Sequence, residues 1–361
     1  MMRQSEAIES AAKRLRRTIV ASPQGLGCDV PEMAASKKVI GTHHGTFHCD
    51  EALAVGLLKS LPEYSDAAVV RTRDNAILDQ CSIVVDVGGT YDAAALRFDH
   101  HQRGFMETFD SEHKTKLSSA GLVYKHFGKQ IVAHHAVVMG CSLSPSDLDE
   151  VYLRLYDDFV EHIDGIDNGV ESHSGERNYK VSTNLSARVG HLNPSWNETS
   201  TEEEEMARFR AAAELTFGEF AQSLESKLKS WLPARSIVVN AIQAREEACK
   251  GCDGQVVRLD SFCPWKGHVF DAEKNLAIGE GHLKYILYPD TKGNWRIQAI
   301  PVSSDSFTSR LPLPEKLRGL RDEELSSACG IDGCIFIHAA GFIGGNKTFD
   351  GALKMAQFAL Q

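Results

Sequence analysis

Between residues 38 and 170, short apolar runs alternate with helical patterns, and this alternation restricts the fold more than any other feature. The runs Lys38–Thr42, Ala67–Arg71 and Ser82–Val87 have the length of buried strands. Residues Asp50–Leu61 and Leu117–Phe127 have helical periodicity. Strands separated by helices imply an α/β domain with a mainly parallel sheet flanked by helices.

Histidine and aspartate residues follow the predicted strands at the points where the strands end. In open α/β sheets, ligands bind beyond the carboxyl ends of the strands, so we expect these side chains to converge. A further cluster, Ile163–Gly169, lies where a predicted helix ends. The candidate residues are His44, His48, Asp50, Asp86, Asp99, His100, His101, Asp164 and Asp167.

A convergent set of this kind predicts a metal site. One aspartate after a strand is commonly a turn or cap residue, but several carboxylates gathered at one edge repel each other unless cations are bound. Imidazole and carboxylate ligands without thiolate suit Mn²⁺, and suit Mg²⁺ or Zn²⁺ less well. Two divalent ions carry more charge than Asp50, Asp86 and one aspartate of the last cluster, and the residual positive charge would attract a phosphate. The sequence therefore predicts a two-metal phosphoesterase.

The overall charge limits the class of partner. The formal net charge is −10 at pH 7, so the surface offers no long basic track for nucleic acid. A small substrate or the end of an RNA or short oligonucleotide fits this balance better. No apolar run approaches the length of a membrane span, so no membrane partner is expected.

Cysteine usage indicates an intracellular compartment. Nine cysteines, an odd number, are scattered without a secretory signal, which is typical of reduced thiols. Cys249 and Cys252 form a lone C-x-x-C pair, and we interpret them as ordinary thiols rather than as zinc ligands.

Composition and periodicity divide the chain into four parts. Residues 1–36 are expected to be a disordered leader or a targeting peptide, because they combine basic residues with Pro and Gly. Residues 37–200 form the metal-binding domain, and residues 201–232 a connecting helix with an unbroken apolar stripe. Residues 233–361 form a smaller C-terminal α+β domain. Its predicted strands are Ser236–Ile242, Gln255–Leu259, Lys284–Tyr288, Trp295–Val302 and Cys334–His338, followed by a glycine loop and a last helix.

The ordered motifs resemble a known family. The histidine–aspartate series with its Asp99-His100-His101 triplet is similar to the DHH phosphoesterases. The segments GTHHGTFHCDEALA, VVDVGGTYD, RFDHHQRGF, SSAGLVYKHFG, IDGIDNG, SRLPLPEKLRGL and GCIFIHAAGFIGGNKTFDGALKMA resemble the melanocyte-proliferating-gene (Myg) family. The resemblance covers roughly residues 38–361. It implies a DHH-type domain, a smaller domain closing over its site, Mn²⁺ dependence, and 3′-to-5′ exonuclease action on RNA in mitochondria and nucleus.

The resemblance also implies residue roles. It makes His44, His48, Asp50, Asp86 and His100 metal ligands, with Asp86 bridging the two ions. Asp99 would orient an imidazole, and His101 would face the attacking water or the scissile phosphate. Asp167 is favoured as the last ligand, with Asp164 as the alternative. His48 departs from the pattern, because most DHH enzymes carry Asp there.

A glycine loop is the predicted substrate site of the C-terminal domain. Residues 341–347 (GFIGGNK) resemble the substrate-gripping loop of DHH-associated domains, and glycines let backbone N–H groups approach an anion. The candidate substrate-binding residues are His338, Gly344, Gly345, Asn346, Lys347, Arg296, Arg310 and Arg188.

Three alternative functions stay open. The first is a hydrolase of small phosphorylated molecules, such as pyrophosphate or a dinucleotide, on the same scaffold. The second is a zinc hydrolase of the metallo-β-lactamase type. The spacing of His44, His48 and Asp50 does not match that class, and the class would leave the Asp99-His100-His101 triplet unexplained. The third is a non-catalytic regulatory protein with a structural metal, which an open, carboxylate-rich site disfavours.

Overall fold

The computed structural model describes residues 37–176 and 179–361. The predicted leader, residues 1–36, lies outside these described residues. The chain divides into two compact units, with the division between Lys227 and Leu228. In the described residues no helix is both long and apolar enough to cross a membrane.

The first unit contains a five-stranded sheet in the order β2-β1-β3-β5-β4. Strands β1, β2, β3 and β5 run parallel, and the short β4 pairs antiparallel with β5 at the edge. The carboxyl ends of four strands therefore lie at one edge, as the predicted α/β pattern requires. The strands are β1 (Val39–Thr42), β2 (Ala68–Arg71), β3 (Ile83–Val85), β4 (Tyr91–Asp92) and β5 (Arg97–Phe98).

Helices cover this sheet, and the first of them is almost wholly buried. Every residue of α1 from Cys49 to Leu58 is buried, because α1 packs against both α3 and α7. The helices are α1 (Cys49–Lys59), α2 (Asn75–Leu78), α3 (Ser119–Val138), α4 (Pro145–Leu155), α5 (Glu161–Asp167), α6 (Leu185–Gly190) and α7 (Glu202–Ser226), with a π-helical turn at Tyr156–Val160.

The predicted connecting helix extends further than the sequence pattern indicates. Helix α7 begins with a capping box in which Thr201 and Glu204 bond reciprocally. It passes through a π-helical turn, Lys227–Trp231, into α8 (Leu232–Gln243). Residues Ser236–Ile242 are thus helical, and the predicted strand there is wrong. Pro233 does not end the helix because it lies in the first turn of α8, where its missing N–H is tolerated.

The second unit contains another five-stranded sheet, in the order β6-β7-β8-β10-β9. Strand β6 is parallel to β7, and the remaining pairs are antiparallel. Two apolar clusters pack on the sheet. The elements are β6 (Val256–Arg258), β7 (Tyr285–Pro289), β8 (Trp295–Ala299), β9 (Cys334–Ile337), β10 (Ile343–Asn346), α9 (Arg245–Ala248), α10 (Lys266–Asn275), a 3₁₀ turn at Glu315–Leu317, α11 (Asp322–Cys329) and α12 (Phe349–Ala359).

The coarse fold prediction, a mixed α/β protein, is confirmed. The predicted glycine loop is wrong, because residues 343–346 form strand β10 and pair with both β8 and β9. The three glycines of Gly341–Lys347 weaken the sequence signal for a strand, because glycine has no side chain to pack. The neighbouring strands stabilise the extended conformation instead.

Candidate metal centre

A cleft of about 900 Å³ opens at the carboxyl edge of the first sheet. Strand β1 delivers His43 to it, β3 delivers Asp86, and β5 delivers the triplet Asp99–His101. Asp167, at the end of α5, also lines the cleft. The sheet order places the ends of β1, β3 and β5 side by side, which is why residues distant in sequence meet here.

Asp86 lies at the centre of this arrangement. Its backbone φ is 57°, a left-handed conformation that is costly for a residue other than glycine and is concentrated at functional sites. Its carboxylate is 4% exposed, and the two oxygens face different histidines. Oδ2 lies 3.3 Å from Nε2 of His43, and Oδ1 lies 3.3 Å from Nε2 of His100. One carboxylate therefore joins two groups of potential ligands.

The first group consists of His43, His48 and Glu51. The Nδ1 atom of His43 lies 3.2 Å from the carbonyl oxygen of His44, which can only accept a hydrogen bond. Nδ1 therefore carries the proton, and in neutral His43 the lone pair of Nε2 points at Glu51 Oε1, 2.9 Å away, and at Asp86. Lone pairs facing each other at these distances repel. The contact is favourable only with a proton or a metal ion between them.

The second group consists of His100, Asp50 and Asp167. His100 Nε2 lies 3.2 Å from Asp167 Oδ2 and 3.9 Å from Asp50 Oδ2, in addition to its contact with Asp86. One nitrogen thus faces three carboxylates, and a single nitrogen has one proton at most to share among them. A cation placed among these oxygens would satisfy all of them together.

Unpaired buried atoms support the fit of a metal to this donor set. Both oxygens of Asp50, Oε2 of Glu51 and Nδ1 of His100 are buried without a hydrogen-bond partner among the described residues. Such groups are rare in native proteins, and buried charges are normally paired or bound to metals. The residues present therefore fit one or two divalent cations.

The electrostatics of the carboxylates agree with this conclusion. Burial, together with repulsion from Asp86, Asp167 and Glu51, raises the pKa of Asp50 well above its usual range. Burial acts in the same direction on Asp86, but contacts with His100 and His43 outweigh it and lower the pKa of Asp86. A divalent cation would relieve the repulsion around Asp50 and keep it ionised.

Asp99 and His101 form a dyad at the mouth of the cleft, where His101 Nδ1 also lies 3.6 Å from Asp86 Oδ1. Asp99 Oδ1 lies 2.7 Å from Nδ1 of His101, and Oδ2 accepts a hydrogen bond of 2.6 Å from the Gly89 backbone N–H. Gly89 has a φ of 65°, which lets the turn after Asp86 aim this N–H at the carboxylate. The dyad fixes the proton of His101 on Nδ1 and leaves Nε2 available, on a side chain that is 62% exposed.

The structure does not bring His44 into either ligand group. His44 is exposed, and its neighbour His43, which is 4% exposed, occupies the place predicted for it. The carbonyl oxygen of His44 instead contacts the His43 ring. Because successive side chains of an extended segment point in opposite directions, only one member of the His43–His44 pair can face Asp86.

Asp164 and Asp167, which the sequence left as alternatives, have different surroundings. Asp164 is completely buried and accepts hydrogen bonds from the backbone N–H and hydroxyl of Ser118, from Gly121 N–H and from the Tyr156 hydroxyl. It lies outside the ligand groups and ties α5 to the start of α3. Gly121 is required there, since an added Cβ would lie 2.3 Å from an Asp164 oxygen. Asp167 lies with His100 and Asp50.

The predicted substrate residues of the second unit have structural contacts of their own. The Asn346 side chain is buried, donates to the Asp332 carbonyl and accepts from the Thr348 N–H. Gly344 and Gly345 are paired within the sheet, so their N–H groups do not form the predicted anion-binding loop. Lys347 and His338 are exposed, and the His338 ring accepts a hydrogen bond from Ala340 N–H.

The three predicted arginines are each held by a carboxylate. Arg310 forms a buried, two-pronged ion pair with Glu273, at 2.7 and 2.8 Å. Arg296 pairs with Asp290 at 2.6 Å. Arg188 pairs with Glu219 at 3.0 Å on the surface. These contacts account for the three side chains without a substrate.

Comparison with known proteins identifies the family. The sequence model MYG1_exonuc, described as an uncharacterised protein family (UPF0160), matches residues 39–360. This chain belongs to the MYG1 family. The chain is 46% identical to "MYG1 exonuclease" of Mus musculus over 97% of its own length and 88% of the mouse protein. No solved structure matches it.

Two further MYG1 relatives have similar coverage. "MYG1 exonuclease" of Homo sapiens is 48% identical over 89% of this chain and 85% of the human protein. "MYG1 protein" of Dictyostelium discoideum is also 48% identical, over 89% of this chain and 96% of its own length. These matches confirm the predicted family and the predicted enzyme class, a hydrolase of phosphate esters.

His43 and Glu51 are not among the residues predicted from the sequence. His43 directly follows β1, and that adjacency is the signal that could have separated it from His44. Glu51 is 0% exposed although it lies in the first turn of α1, where acidic residues are commonplace. Its Oε1 accepts the His48 N–H at 2.8 Å, a capping contact that the sequence does not distinguish from a place in a metal site.

Proposed function

We propose that this member of the MYG1 family is a two-metal phosphoesterase that shortens RNA from its 3′ end. The observation that carries the proposal is the position of Asp86, whose two oxygens face two different histidines at equal distances of 3.3 Å. A carboxylate placed in this way is suited to bridge two cations. Two-metal sites are used repeatedly for phosphoryl transfer, because they orient the substrate and stabilise both oxygens of an in-line displacement.

The residues would divide between two ion positions that share Asp86. His43, with Glu51 and His48 beside it, would hold one ion, and His100, Asp50 and Asp167 would hold the other. Mn²⁺ suits this mixture of imidazole and carboxylate. Cys49 also lines the cleft, and burial raises the pKa of its thiol to about 12; among the described residues it belongs to none of the ligand groups.

When bound, the ions would supply Lewis-acid activation of water and charge stabilisation at phosphorus. The chain's own contribution is the Asp99–His101 dyad. With its proton held on Nδ1 by Asp99, His101 presents Nε2 to the cleft, where it can accept a proton from water or pass one to the leaving oxygen. The hydrogen bond from Gly89 keeps Asp99 in place during this transfer.

The proposed substrate is the 3′ end of an RNA. The printed names of the mouse and human relatives are "MYG1 exonuclease", which supports nucleic acid as substrate. RNA, the 3′-to-5′ direction, the assignment to DHH enzymes, and action in mitochondria and nucleus are carried over from the resemblance of the motifs. The acidic net charge favours a chain end over a long tract.

The test uses metal-stripped protein and a short RNA labelled at its 5′ end, with Mn²⁺, Mg²⁺, Zn²⁺ or chelator added. We expect a ladder of products shortened from the 3′ end with Mn²⁺, and none with chelator or with Asp86→Ala. The variant His44→Ala serves as control, since that side chain lies outside the ligand groups. If RNA stays intact while pyrophosphate or a dinucleotide is hydrolysed, the metal chemistry stands and the exonuclease is excluded. No turnover of any phosphate compound would contradict the proposal.

A further inference from the structure

The inclusion of Glu51 changes the charge of the candidate metal centre. With Asp50, Glu51, Asp86 and Asp167, the two ligand groups contain four carboxylates. Four negative charges equal the charge of two divalent cations, so the loaded centre would have no residual positive charge for a phosphate. A substrate with several phosphates therefore needs cations from elsewhere in the cleft.

The cleft supplies two such cations. The described residues that line the cleft include one arginine, Arg73, and one lysine, Lys116. Neither forms an ion pair with any described residue. These two cations line the same cleft as the carboxylates of the metal centre but form an ion pair with none of them, and this arrangement needs an explanation. A bound anion provides one.

Arg73 lies on the β2 side of the ligand groups. Strand β2 ends at Arg71 and is in register with β1, with Arg71 opposite Thr42. Arg73 therefore follows β2 at the same sheet edge at which His43 follows β1. The Thr72 backbone N–H donates to the Thr42 carbonyl at 2.7 Å, which fixes this segment beside the His43 loop.

Lys116 lies on the opposite side, towards β5 and β4. Its Nζ is 5.8 Å from the centre of the Phe105 ring, and that ring lies 6.3 Å from the ring of His100. Its carbonyl oxygen accepts a 2.9 Å hydrogen bond from the side chain of Asn168, the neighbour of Asp167. Phe105 also packs on Tyr91 of β4, with the ring centres 5.7 Å apart. Since β1, β3 and β5 lie between β2 and β4, the three strands that are followed by His43, Asp86 and His100 lie between the two cations.

We infer that Arg73 and Lys116 bind the two phosphates that flank the scissile phosphate, one on each side. The inference rests on the proposed phosphoesterase function. Guanidinium and ammonium groups form charge-assisted hydrogen bonds with phosphate oxygens and are among the commonest phosphate ligands. The ligand would be the end of an oligonucleotide. An end with a terminal phosphate would bind both cations, whereas an end with a free hydroxyl would bind only one.

The test compares four adenosine dinucleotides in Mn²⁺: ApA, pApA, ApAp and pApAp. We measure kcat and KM for the wild type, Arg73→Gln and Lys116→Gln. Each terminal phosphate should raise kcat/KM in the wild type. In each variant, kcat/KM for substrates with one of the two terminal phosphates should fall by about tenfold or more. The increase in kcat/KM from the other terminal phosphate should remain. The loss should be mainly in KM, because these contacts bind flanking groups and not the reacting atoms.

Matched controls and a second readout separate this inference from the proposed function. Lys114→Gln and Arg210→Gln remove exposed cations that do not line the cleft and should leave the ratios between substrates unchanged. Equilibrium dialysis of labelled pApAp reports binding without turnover, and calorimetry with Mn²⁺ checks that the metal centre is intact. If no dinucleotide is hydrolysed but both variants bind pApAp about tenfold more weakly, the inference stands while the function fails. Equal losses on all four substrates, or unchanged binding of pApAp, would overturn it.

Discussion

Nε2 of His43 lies 3.3 Å from Oδ2 of Asp86, while the proton of the His43 ring is held on Nδ1 by the carbonyl oxygen of His44. This relationship defines one half of the candidate metal centre. The nitrogen that faces the carboxylate is therefore the one that can bind a metal ion when the ring is neutral. The same carboxylate faces His100 through its other oxygen, so Asp86 links both halves.

The adjacent histidines provide the first prediction. His43→Ala should weaken Mn²⁺ binding at one position by at least the roughly 10–100-fold that follows loss of a supporting residue around a metal. His44→Ala should leave binding unchanged, since His44 is exposed and contributes only its backbone oxygen. Isothermal titration of metal-stripped proteins measures both. Equal effects of the two substitutions would contradict the assignment of His43.

The two aspartates of α5 provide the second prediction. Asp167→Asn should lower Mn²⁺ affinity and leave the thermal midpoint of unfolding nearly unchanged. Asp164→Asn should do the reverse and lower the free energy of unfolding by about 1–3 kcal/mol, because an amide has one acceptor oxygen where Asp164 uses two, one for Ser118 and Gly121 and one for Tyr156. Denaturant titrations and calorimetry on both variants distinguish the roles. Loss of Mn²⁺ binding in a fully stable Asp164→Asn protein would reverse them.

A third prediction concerns the dyad. Replacing Asp99 with Ala removes the acceptor that holds the His101 proton on Nδ1, so kcat should fall by about 10²–10⁴-fold while Mn²⁺ binding is retained. His101→Ala should cause a comparable fall, and the double variant should be no worse than the worse single variant, since the two residues act as a unit. Additive losses would show that they act independently.

A buried histidine away from the centre provides a prediction of pH dependence. Burial, with a smaller effect of the adjacent His134, lowers the pKa of His135 to about 4. In the unfolded chain this histidine is protonated below about pH 6.5, whereas in the folded protein it stays neutral down to about pH 4. The stability contributed by neutral His135 is therefore lost as the pH falls from about 6.5 to about 4. The loss should reach at most about 3 kcal/mol.

The comparison needed is between the wild type and His135→Leu. The difference between their free energies of unfolding, measured in urea from neutral pH down to about pH 4.5, should change in favour of the variant as the pH falls. A difference that does not vary with pH would show that His135 titrates in the folded protein as it does in the unfolded chain.

Much of the first unit follows from local sequence signals. The apolar runs before Asp86 and Asp99 coincide with β3 and β5, and strands joined by helices lead to a parallel sheet whose carboxyl edge gathers their polar ends. The capping box at Thr201 and the apolar stripe that follows it likewise predict α7. These signals are local, and the structure changes only their boundaries.

The choice between neighbouring residues needed three-dimensional information. His43 and His44 have identical chemistry, and the direction of β1 at its last residue decides which one faces Asp86. Asp164 and Asp167 lie on one short helix, and the packing of α3 against it decides which is enclosed by donors. Such differences of orientation have no signature in composition or spacing.

The second unit shows how tertiary context overrides local preference. The β-branched residues Ile237, Val238 and Val239 suggest a strand, but Ala234, Val238 and Ile242 are buried at a spacing of four in α8. Conversely, Gly344 and Gly345 suggest a loop, but pairing on both sides places them in a strand. In both segments, burial against neighbouring elements determined the conformation.

The most direct test of the central claim is the number of Mn²⁺ ions bound per chain. Metal analysis after equilibration of stripped protein with Mn²⁺, combined with calorimetric titration, gives this number for the wild type and for Asp86→Ala. We expect two ions in the wild type and loss of tight binding at both positions in the variant, since each oxygen of Asp86 faces a different position. A single bound ion in the wild type, or two ions retained by Asp86→Ala, would contradict it.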